Sequence, residues 1–263
     1  SGKGVSMDPV KRTTKRGVLT VTLADAENRN ALDGALVQGI HDAIAAANAD
    51  PAIRAVVLTN EGNTFCAGAN LKQRAGASQS TVATIGFDEL LRTIQTSPTP
   101  ILGRIAGHVV GGGNGLAAAL DISIAADDVK FGFTEVRLGV APAIISVVCL
   151  PKMRPADAME TFLRGNRFSA ARAAEMGLIN RAVPRDQLDA AVEEVLADLR
   201  LGGPEALGVA KRLVREVPQL EQGDAFQRMT RLSGELFRSK EAAEGVAAFV
   251  TKRKPAWAVD DDA

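Results

Sequence analysis

The chain has no tyrosine and a single tryptophan, and aromatic residues make up only 4% of it. Base-stacking platforms for single-stranded nucleic acid need such rings, so that class is disfavoured. An excess of charge of either sign is also missing, because 31 basic residues cancel 31 acidic ones. Nothing global therefore draws the chain to nucleic acid or to an anionic membrane. The two cysteines, Cys66 and Cys149, are too few for a disulfide framework or a zinc site. They read as buried thiols in a reducing compartment. Neither histidine, His41 or His108, has a metal-ligand partner at suitable spacing, so no metal is expected. No run of about 18 apolar residues occurs, and no membrane span is expected. The residues before Met7 lack the apolar core of a signal peptide. A cytoplasmic protein is the expectation.

What is present is a chain of 263 residues, 46% hydrophobic and with 25 glycines, long enough to bury a substantial core. Residues 18–23 alternate apolar side chains with threonine, a strand pattern. Asp33 reads as the N-cap of a helix carrying Ala35, Leu36, Ile40, Ala43, Ile44 and Ala47 at helical spacing. Short strands are expected over 55–59, 101–106, 121–126 and 130–133, with helices over 80–96 and 116–120. After Pro155 the pattern turns helical, over 156–163, 170–176, 187–199, 205–214, 223–237 and 240–249. Pro204 reads as part of a first helical turn, its favoured place. Strands alternating with helices imply βα-type units rather than hairpins. No short-period repeat is visible. Residues 1–10 read as a disordered extension or tag remnant, 11–200 as the core and 201–263 as a C-terminal helical region. The terminal run Asp260–Asp262 reads as solvated and frayed.

The segment Gly107-His-Val-Val-Gly-Gly-Gly-Asn-Gly-Leu116 comes after an apolar strand and leads into a helix. Without a Cβ, backbone there can approach a ligand closely. The orphan N–H groups and partial positive charge of a helix N-terminus add to this, giving a main-chain receptor for an anion or oxyanion. A second small-residue turn, Phe65-Cys-Ala-Gly-Ala-Asn-Leu-Lys72, comes after strand 55–59. Two N–H donors from separate turns, aimed at one oxygen, would stabilise an enolate or a tetrahedral oxyanion.

These two motifs, with Asp121-Ile-Ser-Ile-Ala-Ala126, Phe131-Gly-Phe-Thr-Glu-Val-Arg-Leu-Gly139, Pro142, Ala174-Glu-Met-Gly-Leu-Ile179 and Phe249-Val-Thr-Lys-Arg-Lys254, resemble the crotonase superfamily, the enoyl-CoA hydratase/isomerase family. The resemblance covers nearly everything from Lys11 to Trp257. It implies an α/β fold, a crotonase-like ββα spiral with a C-terminal helical trimerisation region, assembled as a homotrimer or a hexamer of paired trimers. The ligand it implies is an acyl-CoA thioester, with no cofactor beyond the CoA of the substrate. By motif position the oxyanion donors are the N–H groups of Ala69 and Gly112. Ala67, Asn70, Leu71, Lys72, Gly111, Gly115, Pro142 and Lys252 fall at substrate or CoA positions; Lys252, with Arg253 and Lys254, either meets the CoA 3′-phosphate, from its own or a neighbouring subunit, or forms a solvated basic patch. Asn70 stands where the family often has aspartate.

The carboxylates depart from the commonest pattern. Hydratases of the family carry one glutamate in Gly-Gly-Gly-x-Glu-Leu and another in Phe-Gly-x-x-Glu. This chain keeps the second as Glu135 and has Gly115 at the first. Hydration needs a base for water at Cβ and a proton donor at Cα. A lone Glu135 can do both in sequence, or can shuttle a proton between Cα and Cγ, which is isomerisation. The Gly-Gly-Gly-x-Gly-Leu pattern and Pro142-Ala-Ile-Ile-Ser146 are similar to 3-methylglutaconyl-CoA-type hydratases, which implies hydration of a branched or carboxylated acyl group. A Δ3-Δ2-enoyl-CoA isomerase and an acyl-CoA-binding protein without turnover are the alternatives. Read without the family, Glu135 could simply pair with Arg137 or Lys130 at the surface. Ser146 either fills or polarises the space left by Gly115, or packs in a helix. His108 reads as shaping its own loop.

Overall fold

The architecture comes from a computed structural model in which residues 8–71, 76 and 85–258 are described. Lys72, the first part of the helix expected over 80–96 and the acidic run Asp260–Asp262 lie outside those residues.

Among the described residues, ten strands form two sheets. The larger has the order β1 (Val10–Lys15), β2 (Val18–Leu23), β3 (Ala55–Asn60), β5 (Ile101–Ile105), β7 (Ile122–Ala126) and β10 (Arg181–Val183). It is parallel from β2 onward, and β1 joins its edge antiparallel to β2. The smaller sheet has the order β4 (Thr64–Cys66), β6 (His108–Val110), β8 (Lys130–Gly132) and β9 (Arg167–Ser169). In it β4, β6 and β8 run parallel, and β9 lies antiparallel to β8.

The chain therefore lays one strand in each sheet per turn, β3 then β4, β5 then β6, β7 then β8. Each turn closes with a helix, Phe87–Thr96, Gly112–Ala119 and Ala143–Cys149 respectively. This is a spiral of ββα turns. The repeat is hidden in the sequence because β4 and β6 have three residues each, too few for a period-2 pattern. The expected strand at 101–106 and the one at 121–126 appear with ends shifted by a single residue, an ordinary boundary difference.

Local chemistry explains the main elements. β3 is buried along its whole length, as a central parallel strand must be. β1 buries only Val10; its Lys, Arg and Thr side chains face solvent, which suits an edge strand. Helix Gly34–Ala49 starts at Asp33, whose carboxylate accepts from Leu36 N at 2.9 Å. It buries Leu36, Val37, Ile40, Ala43, Ile44 and Ala47. Fully buried Phe65, Phe131 and Phe133 fill the core beneath the small sheet, and Phe133 meets Phe162 with ring centroids 4.6 Å apart.

The C-terminal helices are Leu188–Leu201, Pro204–Glu216, Gln222–Phe237 and Lys240–Val250. Pro204 starts its helix, where its missing N–H costs nothing. Asp121 ties that helix to the spiral: Lys211 Nζ approaches its carboxylate at 2.7 Å and Arg215 at 3.4 Å, and the same carboxylate accepts from Ile101 N at 2.8 Å. Arg54, at the start of β3, donates to the carbonyls of Gly202 and Trp257.

Candidate active site

Strands β4, β6 and β8 are parallel neighbours, so their C-terminal ends share one edge of the small sheet. The residues just past those ends build the site. Beyond β4 comes Ala67-Gly68-Ala69, beyond β6 comes Gly111-Gly112, and beyond β8 comes Phe133-Thr134-Glu135. Three separate stretches of sequence thus meet at one place.

The two small-residue turns touch. Gly68 has φ +80°, and a Cβ on it would lie 2.7 Å from Gly112 N and 3.0 Å from Val110 O. No other residue type allows both the conformation and the approach. The first turn is anchored where Leu32 N donates to Gly68 O at 2.8 Å and Ala67 N donates to Arg29 O at 3.1 Å. In the second, Gly111 has φ +54° and donates its N–H to Gly132 O at 2.9 Å. Among the described residues, neither Ala69 N nor Gly112 N is spent on a backbone carbonyl outside regular structure.

Helix Gly112–Ala119 begins at the glycines, which corrects the expectation of a helix over 116–120. The reason is packing: a Cβ on Gly113 would sit 3.0 Å from Cys66 Cβ and 3.1 Å from Cys66 C. The glycines are the first helical turn pressed against the end of β4. They are not a loop in front of it.

Glu135 opens a short 3-10 turn, Glu135–Leu138, closed by Gly139 at φ +74°. Its Oε1 stands 3.6 Å from where a Cβ on Gly111 would be. Its Oε2 is buried and, among the described residues, has no hydrogen-bond partner. Burial pushes its pKa above the ordinary value of 4.5, partly offset by the backbone N–H of Glu135 itself. No described ion pair joins it to Arg137 or Lys130, so the surface-pair reading falls away. A half-buried carboxyl with one unengaged oxygen can accept or deliver a proton.

The turns and Glu135 line a pocket of about 1110 Å³. Ala67, Ala69, Asn70, Leu71, Gly111, Gly112 and Pro142 also lie on its wall. Two expected positions do not. Gly115 is buried behind the wall: a Cβ there would come within 2.7 Å of Ile145 Cβ, so Ile145 of helix Ala143–Cys149 occupies the space. Ser146 does not fill it, since its hydroxyl donates to Ala143 O at 2.6 Å within its own helix. Lys252 comes after helix Lys240–Val250, with φ +54°, and does not line the pocket. The C-terminal segment is held through Trp257 at the start of β3, whereas the pocket forms beyond the ends of β4, β6 and β8.

Other functional candidates escaped the sequence reading. Arg29, Arg137 and Arg167 line the pocket and have no ion-pair partner among the described residues. Arginines are common everywhere in this chain, so no spacing singled them out. Asn114 lies inside the glycine motif, yet its role needed coordinates: its Nδ2 donates to Gly111 O at 3.0 Å and to Gly132 O at 2.8 Å. His108 Nδ1 accepts from Lys130 N at 3.0 Å and so laces β6 to β8. Among the described residues no three metal-ligating side chains cluster. Nor is any described helix long and apolar enough to cross a membrane.

The pattern of the enoyl-CoA hydratase/isomerase family matches residues 13–260. The chain belongs to that family. It is 31% identical to enoyl-CoA hydratase EchA19 of Mycobacterium tuberculosis, over 95% of this chain and 97% of that protein. It is also 31% identical to carnitinyl-CoA dehydratase of Proteus mirabilis, covering 93% of this chain and 96% of the other. Among solved structures, an enoyl-CoA hydratase/isomerase from Marinobacter aquaeolei superposes with a TM-score of 0.87 at 28% identity, covering 96% of this chain and all of that one. The spiral of ββα turns is accordingly the crotonase fold.

Proposed function

We propose that the protein is an enoyl-CoA hydratase that adds water across the 2,3-double bond of an enoyl-CoA. The observation that carries this is Glu135 Oε1 beside Gly111, next to the paired turns of Ala69 and Gly112. The thioester oxygen accepts from the N–H groups of Ala69 and Gly112. The Glu135 carboxylate takes a proton from water as the hydroxyl bonds to Cβ, and the double-bond electrons move onto the thioester oxygen as an enolate. Protonated Glu135 then returns the proton to Cα. Burial, which raises its pKa, strengthens the carboxylate as the base that takes the proton from water. The relatives named as a hydratase and a dehydratase of acyl-CoA substrates support this direction.

CoA is part of the substrate, and no further cofactor is invoked. Asn70 and Leu71 line the CoA side in this reading, and Lys72 comes next in the chain. Arg137 and Arg167, without acidic partners among the described residues, support an acyl group that is branched and carboxylated, as in 3-methylglutaconyl-type substrates. A Δ3-Δ2-enoyl-CoA isomerase is the second reading. It is favoured by Ile145, an apolar side chain where a second carboxylate would help bind water.

Exposed Phe226, Phe237 and Phe249 on the C-terminal helices, the last 85% exposed, support assembly into a homotrimer or hexamer. Two buried free thiols, Cys66 and Cys149, are compatible with a cytoplasmic setting.

The deciding experiment offers crotonyl-CoA, a 3-enoyl-CoA and a glutaconyl-type CoA in deuterated water, with products read by mass spectrometry. Gain of one water supports hydration. Deuterium uptake without water marks isomerisation, and silence on all three marks a binder without turnover.

A further inference from the structure

Asn114 sits in the first turn of helix Gly112–Ala119 with no exposed surface at all. Its side-chain amide donates two hydrogen bonds, to Gly111 O at 3.0 Å and to Gly132 O at 2.8 Å, and its backbone N–H also reaches Gly111 O at 2.9 Å. Gly132 O accepts in addition from Gly111 N at 2.9 Å. Its own oxygen, Oδ1, is buried and, among the described residues, has no partner. A side chain chosen only to fill space would not carry a buried unsatisfied acceptor, which is costly. Rotating the amide by half a turn would set Oδ1 against two carbonyl oxygens, so the donor orientation is the one that the surroundings accept.

The two carbonyls it grips are not equivalent to others nearby. Gly111 C=O and Gly112 N–H belong to one planar trans peptide, so holding the oxygen on one side aims the N–H to the other. Gly111 has φ +54° and no side chain, so that plane is held through its carbonyl oxygen, by the backbone N–H and the side-chain amide of Asn114 together. Gly132 is the last residue of β8, three residues before Glu135. One amide therefore grips the peptide that offers the Gly112 donor and the strand end that delivers the acid/base.

We infer that Asn114 is a positioning residue that orients the Gly111–Gly112 peptide toward the thioester oxygen and holds it in register with Glu135. This rests on the reading that Gly112 N–H is an oxyanion donor. Asn114 acts through Gly112 and Glu135 and touches no reacting atom. Its effect belongs to the transition state, where charge develops on the oxygen, and so to kcat more than to KM.

The test uses purified Asn114→Ala and Asn114→Asp. The second is nearly isosteric and replaces the doubly donating NH2 by an oxygen. Amide hydrogen exchange read by mass spectrometry, without substrate, should speed up at least tenfold in peptides spanning Gly111–Gly113 in both variants, while peptides from β2 and β3 stay at wild-type rates. In turnover, kcat should fall at least tenfold with KM within about threefold of wild type. Wild-type exchange in the glycine turn overturns the inference, and so does a kcat unchanged in the folded variants. Equal acceleration throughout the chain also overturns it, since that marks a loss of stability alone. If the wild-type enzyme turns over none of the three thioesters, the proposed reaction fails. The exchange arm then still decides whether Asn114 holds the turn.

Discussion

Ile145 stands where a side chain on Gly115 would have to go: its Cβ lies 2.7 Å from the position of a Gly115 Cβ, and its Cα 3.4 Å. Real Cβ atoms do not come that close, so the two residues exclude each other's bulk. The loss of the second carboxylate is thereby built into the packing of helix Gly112–Ala119 against helix Ala143–Cys149. Gly115→Glu alone should destabilise the protein by about 1–3 kcal/mol through overpacking. Gly115→Glu with Ile145→Ala should recover most of that loss. Urea melts of the two variants check it, and equal stability of the single variant and wild type would refute the exclusion.

Glu135→Gln keeps the shape of the side chain and removes its proton chemistry. Folding and acyl-CoA affinity should persist while kcat drops by at least about a hundredfold, the usual scale of acid–base catalysis. Steady-state kinetics beside calorimetric binding of a non-reactive acyl-CoA would show it. Near-wild-type turnover would remove Glu135 from the reaction.

The pH dependence comes from burial of the same carboxyl. Its pKa is raised above 4.5, chiefly by desolvation. The base form is lost as pH falls through that raised value, so the acid limb of kcat/KM should bend above pH 4.5. Profiles of stable wild-type enzyme measure this bend, which should be absent from the residual activity of Glu135→Gln. A limb centred at or below 4.5 would contradict the assignment.

Gly68→Ala tests the contact between the two turns. The new Cβ would fall 2.7 Å from Gly112 N, at a φ of +80° that alanine resists. Moving one oxyanion donor is expected to cost about 2.7–4 kcal/mol of barrier, or 10²–10³ in kcat. Kinetics at a temperature where circular dichroism shows a folded variant decide the matter; unchanged kcat would argue that Gly112 N–H takes no part.

Asp121 ties the helix Pro204–Glu216 to the spiral through Lys211 and Arg215. Burial raises its pKa in spite of Lys211 and Arg215, and burial lowers the pKa of Lys211. Lys211→Met removes the nearer cation and leaves the buried carboxylate with Arg215 at 3.4 Å, so it should cost up to about 3 kcal/mol, less than a fully unpaired buried charge. Lys211→Met with Asp121→Asn should cost clearly less. Chemical denaturation of both, with wild type, gives the coupling.

Much of the fold was legible because long elements carry long patterns. Helix Gly34–Ala49 announced itself by Asp33 and six apolar residues on one face, and the C-terminal helices by proline and 3.6-residue spacing. The edge strand β1 escaped because its charged, solvent-facing side chains show no apolar alternation, and β4, β6, β9 and β10 escaped because three residues cannot show a period. Helix Ala143–Cys149 was missed too; its apolar run is equally compatible with a strand.

At the site, the sequence by itself determined the residue types on offer: two small-residue turns, one glutamate in a Phe-Gly-x-x-Glu motif, and a glycine where a second glutamate is usual. These are covalent facts of order and spacing. Only the tertiary structure decided that Gly115 lies behind the pocket wall with Ile145 in its place, that Lys252 lies away from the pocket of its own chain, and that Asn114 grips two carbonyls. Those outcomes depend on which side chains from distant turns of the spiral compete for the same few cubic ångströms, and close packing admits only one occupant.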